Sequence, residues 1–370
     1  MKVFFYAKVG DLNQKPYGGG EVGNRRTLEM LRELGYNVKL VPRYYNYDEK
    51  SLFVYVKIIV GDVFSLLRLF FCLITRGRKR AIVHVSGYTG KYLPIELFSI
   101  LVSKVLLCKV IYEIRGGGIV EEYEDRGYMY KLMFKSAVSI PNVVFSQGME
   151  NEQLITSFCG SNAFFYYPNC IAENDMAKSC PLKSCSPIKC LYIGRLAPFK
   201  NVDLVLKIIK KVYDGGYDVK IDIIGDGIDF PSYVRDIKAF VENNMMEPYC
   251  CFKGYLNKDE MKNYLKEACF FIFPSNESRE GQSNALTEAM AYGVIPLVSN
   301  KGFSAGTVDC DELVFKTYKP EDYAKKMMEI IQEQRIEELS NKMYTRIQNN
   351  FLYSQIREKV KKEYEKIYTY

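Results

Sequence analysis

Short apolar runs recur along this chain, each set off by glycines or polar turns and followed by a longer segment of helical periodicity. In the first half the runs fall at residues 3–7, 38–41, 81–86, 109–114, 143–147 and 164–168. In the second they fall at 190–194, 219–224, 251–254 and at both ends of 270–300. Runs this short and this rich in Val, Ile and Phe predict strands buried on both faces. Strands that alternate with helices join through crossovers, which gives parallel sheets. The polar stretch 172–187 has Pro181 and Pro187 and no periodicity, so it divides the alternation in two. At 370 residues the chain has the length for two domains. The expectation is α/β: two Rossmann-like domains facing across a cleft.

Composition narrows the classes. Apolar residues make up 48% and charged residues 26%, which excludes a disordered chain. The formal charge of +7 is mild and suits anionic partners such as phosphates or acidic lipid. Nothing in the charge pattern calls for nucleic acid. The eleven cysteines form no Cys-x-x-Cys pair, and the even spacing of Cys180, Cys185 and Cys190 has no histidine beside it. Reduced structural thiols are expected, and with them a reducing compartment. The opening MKVFFYAKVG reads as a first strand and lacks a cleavage pattern, so an intracellular protein is expected.

The chemistry gathers at strand ends. The stretch 270–300 reads as strand, polar loop, amphipathic helix and strand, with Gly293 as a left-handed helix stop. Its loop carries Glu280 and its helix carries Glu288, beside a helix N-terminus at the C-terminal end of a strand. Ligands of open α/β sheets bind there, backbone N–H groups favour phosphate, and carboxylates suit paired hydroxyls. Arg195 and Lys200 place two cations between the strand at 190–194 and the helix after it. Gly18-Gly19-Gly20 precedes a helix with Leu28, Leu31 and Leu34 on one side; a structural turn and a ligand loop both fit these glycines. Arg115 stands before three glycines at the end of the strand at 109–114. His84, the one histidine, is expected to be packed rather than catalytic.

Residues 52–74 are the most apolar stretch, yet they contain Lys57, Asp62 and Arg68. A charge near the bilayer centre costs about 2.5–3.5 kcal/mol, so partly buried helical segments are expected rather than a membrane span. Arg76, Arg78, Lys79 and Arg80 follow at once. Apolar area with adjacent cations is what a peripheral membrane contact over 52–80 needs; a core helix followed by a solvated loop fits equally well.

Gly194-Arg195-Leu196 with Lys200, Gly225-Asp226-Gly227, and Glu280 separated by seven residues from Glu288-Ala289-Met290-Ala291 occur in that order. Together they resemble the retaining nucleotide-sugar glycosyltransferases of family 4, group 1, most closely over 190–300. Asn201 stands where the family has Gly after the lysine, and Arg115 where members often have a His nearby. The resemblance implies the GT-B fold. The N-terminal acceptor domain would be 1–171, joined by a C-terminal helix at 351–370. A linker at 172–187 and a nucleotide-sugar domain at 188–350 complete the division. It implies a catalytic group of Glu280, Arg195 and Lys200. Donor binding falls to Glu288, Gly281, Gln282, Ser283, Asn284, Gly19, Gly20 and Arg115, and the nucleobase lies near Gly225, Gly227, Tyr255 and Leu256. No cofactor and no metal are expected. The implied partners are a UDP- or GDP-sugar and a glycan or polyprenyl-linked acceptor of bacterial surface polysaccharide synthesis, handled in the cytoplasm at the inner face of the membrane. A sugar-nucleotide epimerase of the same fold and a non-catalytic, membrane-associated nucleotide-sugar binder remain as alternatives.

Overall fold

The structure is a computed structural model that describes residues 1–14, 16, 18–43, 52–75, 81–277 and 279–369, without the side chains of 52–56, 58 and 162. Arg76, Arg78, Lys79 and Arg80 lie outside the described residues. The chain forms two compact units, Met1–Pro168 with Arg357–Tyr370, and Asn169–Ile356. The stretch 172–187, expected to link the two, belongs to the second unit.

The first unit is built on β1 (Lys2–Ala7), β2 (Asn37–Pro42), β3 (Ala81–Gly87), β4 (Lys109–Ile114), β5 (Val143–Ser146) and β6 (Phe164–Tyr166). They form one parallel sheet in the order β2-β1-β3-β4-β5-β6. Its helices are α1 (Gly19–Glu33), α2 (Leu52–Thr75), α3 (Leu93–Val105), α4 (Ile119–Asp125), α5 (Tyr128–Ser139) and α6 (Glu152–Cys159). The apolar stretch after residue 51 is thus one helix, not several segments. Alternate strand residues feed two cores, as a sheet covered on both faces requires. Phe4, Tyr6, Val83 and Val85 pack with Leu69 and Leu73 of α2, Ile100 of α3 and Phe134 of α5. Phe5 and Ala7 pack with Leu28 of α1 on the opposite face.

The second unit contains β7 (Ile188–Ile193), β8 (Val219–Ile224), β9 (Cys250–Gly254), β10 (Phe270–Phe273), β11 (Ile295–Ser299) and β12 (Val314–Phe315). These are also all parallel, in the order β12-β11-β10-β7-β8-β9. Chain order reverses between β7 and β10, the switch point at which such sheets open a crevice for a ligand. The helices are α7 (Val202–Asp214), α8 (Pro231–Asn243), α9 (Lys258–Glu267), α10 (Asn284–Met290), α11 (Ser304–Val308), α12 (Pro320–Gln332), α13 (Ile336–Asn350) and α14 (Tyr353–Thr369). Val202, Val205, Ile209 and Val212, the expected face of α7, are all fully buried. Helix α10 ends at Met290, and Gly293 turns the chain into β11 with φ of +67°.

Residues from 357 onward of α14 complete the first unit. Val360, Tyr364 and Ile367 are its buried stripe. Tyr364 stacks on Tyr36 at 5.6 Å, and its hydroxyl lies 2.5 Å from His84 Nδ1. Among the described residues no helix is long and apolar enough to cross a membrane.

Candidate active site

The loops that follow β7 and β10 meet at the switch point of the second sheet. After β7 the chain runs through Gly194 and Arg195 into a short turn, Pro198–Lys200, and enters α7 at Asn201. Asn201 has φ of 52° and ψ of 46°, a left-handed conformation open mainly to Gly and, less often, Asn. After Gly, Asn is the residue that takes this shape most readily. Its side chain then donates to Pro274 O at 3.0 Å, and Asn276 N donates to Phe199 O at 2.8 Å. The two loops are pinned together by these bonds.

Lys200 is buried between them. Its ammonium donates to Glu277 Oε2 at 2.7 Å and to Glu280 Oε2. Ser275 Oγ donates to the same Glu280 oxygen at 2.6 Å. The rings of Phe199 and Phe273 lie 5.6 and 5.5 Å from the ammonium, which excludes water from one side. Arg195 is exposed and stands 5.4 Å from the same Phe199 ring. Both cations thus lie against one aromatic ring. Two carboxylates thus face one buried ammonium, with the exposed Arg195 nearby against Phe199.

Glycines set the remaining walls. A Cβ on Gly302, whose φ is +62°, would sit 2.1 Å from Glu280 O. A Cβ on Gly225, at φ +138°, would sit 1.9 Å from Gly194 O. Each marks a backbone that approaches a site loop too closely for any side chain. Leu196 N donates to Asp226 O at 2.7 Å, so the Gly-Asp-Gly turn is stitched to the Arg195 loop. Tyr255 is exposed beyond β9, with Leu256 half-buried after it.

The expected donor-binding residues of this unit follow Glu280 in its loop and in α10. Gln282 is buried and turned to Asn169: its Oε1 accepts from Asn169 N at 2.5 Å, and its carbonyl accepts from Asn169 Nδ2 at 2.9 Å. Its side chain holds a turn. Ser283 caps α10 through Leu286 N at 3.3 Å, with Gly281 and Asn284 half-buried beside it. Glu288 lines a shallow depression of about 20 Å³ with Asp175, Lys258, Lys262 and Tyr292. Of the expected group, Arg195, Lys200 and Glu280 come together.

In the first unit Gly19 opens α1, and a Cβ on Gly20 would meet Tyr88 Oη at 2.6 Å. Arg115 is 4% exposed, ion-paired to Glu113 Oε1 at 2.6 Å, and donates to Thr27 Oγ1 at 2.7 Å. His84 Nε2 meets the other Glu113 oxygen at 3.0 Å. Burial raises the Glu113 pKa, and Arg115 and His84 more than offset this, so that it ends below the usual range. At the end of β1, Lys8 pairs with Glu21 at 3.3 Å, and burial pushes its ammonium down to about 8. Lys8, Glu21, Glu113, Glu277 and Gly302 escaped the sequence reading. Only Glu277 had a visible signal, three residues before Glu280.

All eleven cysteines are free. Among the described residues no three His, Cys, Asp or Glu side chains gather so as to hold a metal ion. Asp309, which with Cys310 and Asp311 spells an Asp-x-Asp, is paired to Arg346 at 2.8 Å.

Residues 181–350 match the family described as Glycosyl transferases group 1. Most of the second unit is thus similar to that family. Protein CapJ of Staphylococcus aureus is 30% identical over 128 residues, 34% of this chain and 30% of CapJ. The amylovoran biosynthesis glycosyltransferase AmsK of Erwinia amylovora is 28% identical over 119 residues, 31% of this chain and 28% of AmsK. The chain therefore spans less than a third of these relatives' length. Anabaena Alr3699/HepE, solved in complex with UDP, superposes with a TM-score of 0.71 at 10% identity, covering 99% of this chain and 100% of its own. At that identity the likeness concerns the fold, and the fold is GT-B.

Proposed function

We propose that this chain is a retaining family 4 glycosyltransferase that moves a sugar from a UDP- or GDP-sugar to a hydroxyl of a lipid-linked glycan in bacterial surface polysaccharide synthesis. The observation that carries the proposal is Lys200, held by Glu280 and Glu277 at the switch point of a sheet inside a group 1 domain. Arg195 and Lys200 stabilise the charge that develops on the leaving diphosphate, and no metal is needed for it. Glu280 engages Lys200 and Ser275 through Oε2, which leaves Oε1 for hydroxyls of the transferred sugar. Glu288 takes the ribose hydroxyls. The first unit's Gly19, Gly20 and Arg115 serve the donor side, Arg115 by fixing Glu113 and Thr27 from within. The bond from the sugar's anomeric carbon to the diphosphate breaks as the acceptor oxygen bonds the same face, and the acceptor's proton passes to the leaving diphosphate. Glu280 is a positioning carboxylate in this scheme, not an attacking group.

AmsK's name, a glycosyltransferase of amylovoran biosynthesis, supports a biosynthetic sugar transfer, and the UDP of HepE supports a nucleotide-sugar donor. A peripheral membrane contact over 52–80, at the cytoplasmic face, would bring the enzyme to a polyprenyl-linked acceptor. A panel of UDP- and GDP-sugars, assayed for nucleotide release with and without such an acceptor, tests the reading. Acceptor-dependent release is expected. Conversion of the donor without acceptor marks an epimerase, and binding without release marks a non-catalytic protein; either overturns it.

A further inference from the structure

Helix α2 is apolar on two sides. Leu69 and Leu73 are fully buried in the first unit's core. On the opposite side Val60, the pair Val63 and Phe64, Leu67, Phe71 and Ile74 recur every three or four residues, all exposed, Phe64 at 68% and Phe71 at 59%. A helix of a soluble domain ordinarily turns a polar face to water. An exposed apolar stripe this long marks a binding surface.

The stripe has neighbours. Helix α3 packs between α2 and α5, and the inner sides of all three feed the same core. Their outer sides therefore form one layer surface. That surface adds exposed Phe98 and Val105 from α3 and Met129 and Leu132 from α5. Its charges have one sign. Lys57 and Arg68 border the stripe on α2, and Lys135 is exposed on α5. The acids on the described parts of these three helices are Asp62 and Glu96, both turned inward: Asp62 is half-buried with its Oδ1 enclosed, and Glu96 is fully buried. Acidic side chains begin only on the adjoining α4, with Glu121, Glu122, Glu124 and Asp125.

We infer that the outer face of the α2–α3–α5 layer lies on an anionic lipid bilayer, with Phe64, Leu67 and Phe71 inserted below the headgroups. Apolar side chains gain by leaving water, and the bordering lysine and arginine extend their heads to lipid phosphates while their stems stay in the apolar zone. A second copy of the chain is a poorer occupant. An isologous contact sets this face against itself and opposes cation to cation with no acid between them. The inference extends the proposed 52–80 contact to a plane of three helices that does not depend on residues 76–80.

The chain has no tryptophan, so a single Trp reports its own surroundings. Phe71→Trp and Leu132→Trp are prepared in the full chain, with Glu29→Trp on α1 as the reference across the sheet. Each is mixed with vesicles of phosphatidylcholine containing phosphatidylglycerol, with and without brominated acyl chains. Fluorescence of Phe71→Trp and Leu132→Trp is expected to shift to the blue and to be quenched by bromine; Glu29→Trp should do neither. Phe64→Glu with Phe71→Glu should lower vesicle partition at least tenfold, with nucleotide release to a soluble acceptor unchanged. Vesicles of phosphatidylcholine alone should bind more weakly, and high salt should weaken the anionic case. Quenching of Glu29→Trp equal to that of Phe71→Trp, unchanged partition of the double variant, or a lipid-free dimer that the double variant dissolves would each overturn the inference. Nucleotide release needs no lipid, so loss of membrane binding and failure of the glycosyltransferase reading are told apart.

Discussion

Lys200 is the residue on which the proposed chemistry turns, and two carboxylates hold it. Removing Glu280 frees the ammonium to pair with Glu277 alone and takes away the carboxylate proposed for the sugar. Glu280→Ala should lower turnover by about a hundredfold or more, the scale of a lost transition-state contact. Lys200→Ala should weaken nucleotide-sugar binding by roughly tenfold, as a lost charge-assisted contact does. Titration calorimetry and steady-state kinetics separate the two. Full turnover by Glu280→Ala would refute the assignment. Gly302→Ala tests the loop without touching a polar group: the added methyl cannot coexist with Glu280 O, so donor affinity should drop while the variant still folds. Arg115 makes a different prediction. Arg115→Met leaves Glu113 buried beside His84 without its cation, which costs about 3–5 kcal/mol. Thermal unfolding should show it.

At the scale of elements, Lys183 ties two of them together. Its ammonium donates to Leu265 O, Lys266 O and Tyr292 O, the carbonyl ends of α9 and of the turn after α10. Cations favour helix C-termini, but burial pushes this one down to about 8. The unfolded chain holds its proton to about 10.5. Between those values the unfolded state binds more protons than the folded one, so this group's contribution to stability rises with pH over that window. Lys183→Met should lose that rise, which urea melts at pH 7.5 and 9.5 would measure. Sequence periodicity made α7 and every strand but the two-residue β12 legible because buried stripes repeat with the backbone's own period. The Lys200 cluster was half legible: its cation and one carboxylate lie in recognisable motifs, whereas Glu277 follows no period. Lys8–Glu21 and His84–Glu113–Arg115 were not legible, since side chains distant in sequence meet only when the sheet order places β1, β3 and β4 side by side. The stretch of α2 was legible as partly buried helix but not as one continuous element, because apolar residues on two sides of a helix blur its period.

For the whole molecule, two cores mean two cooperative units. The first needs Tyr364, which is buried against Tyr36 and bonded to His84. A chain cut after Ile356 loses buried Val360, Tyr364 and Ile367, each worth about 1.5–3 kcal/mol of burial. The first unit should then unfold at much lower urea, or not fold, while Asn169–Ile356 keeps its transition; limited proteolysis would show which half survives. Arg115→Met should likewise move only the first unit's transition. The same arrangement sets an order of birth. A chain leaving the ribosome presents residues 1–168 first, yet their sheet lacks a covering piece that lies beyond residue 356. The second unit can close while the first still waits. An early half that must stay open through the synthesis of nearly two hundred more residues exposes strands such as VFFYA to other chains, and makes this protein a natural client for chaperones that bind nascent segments.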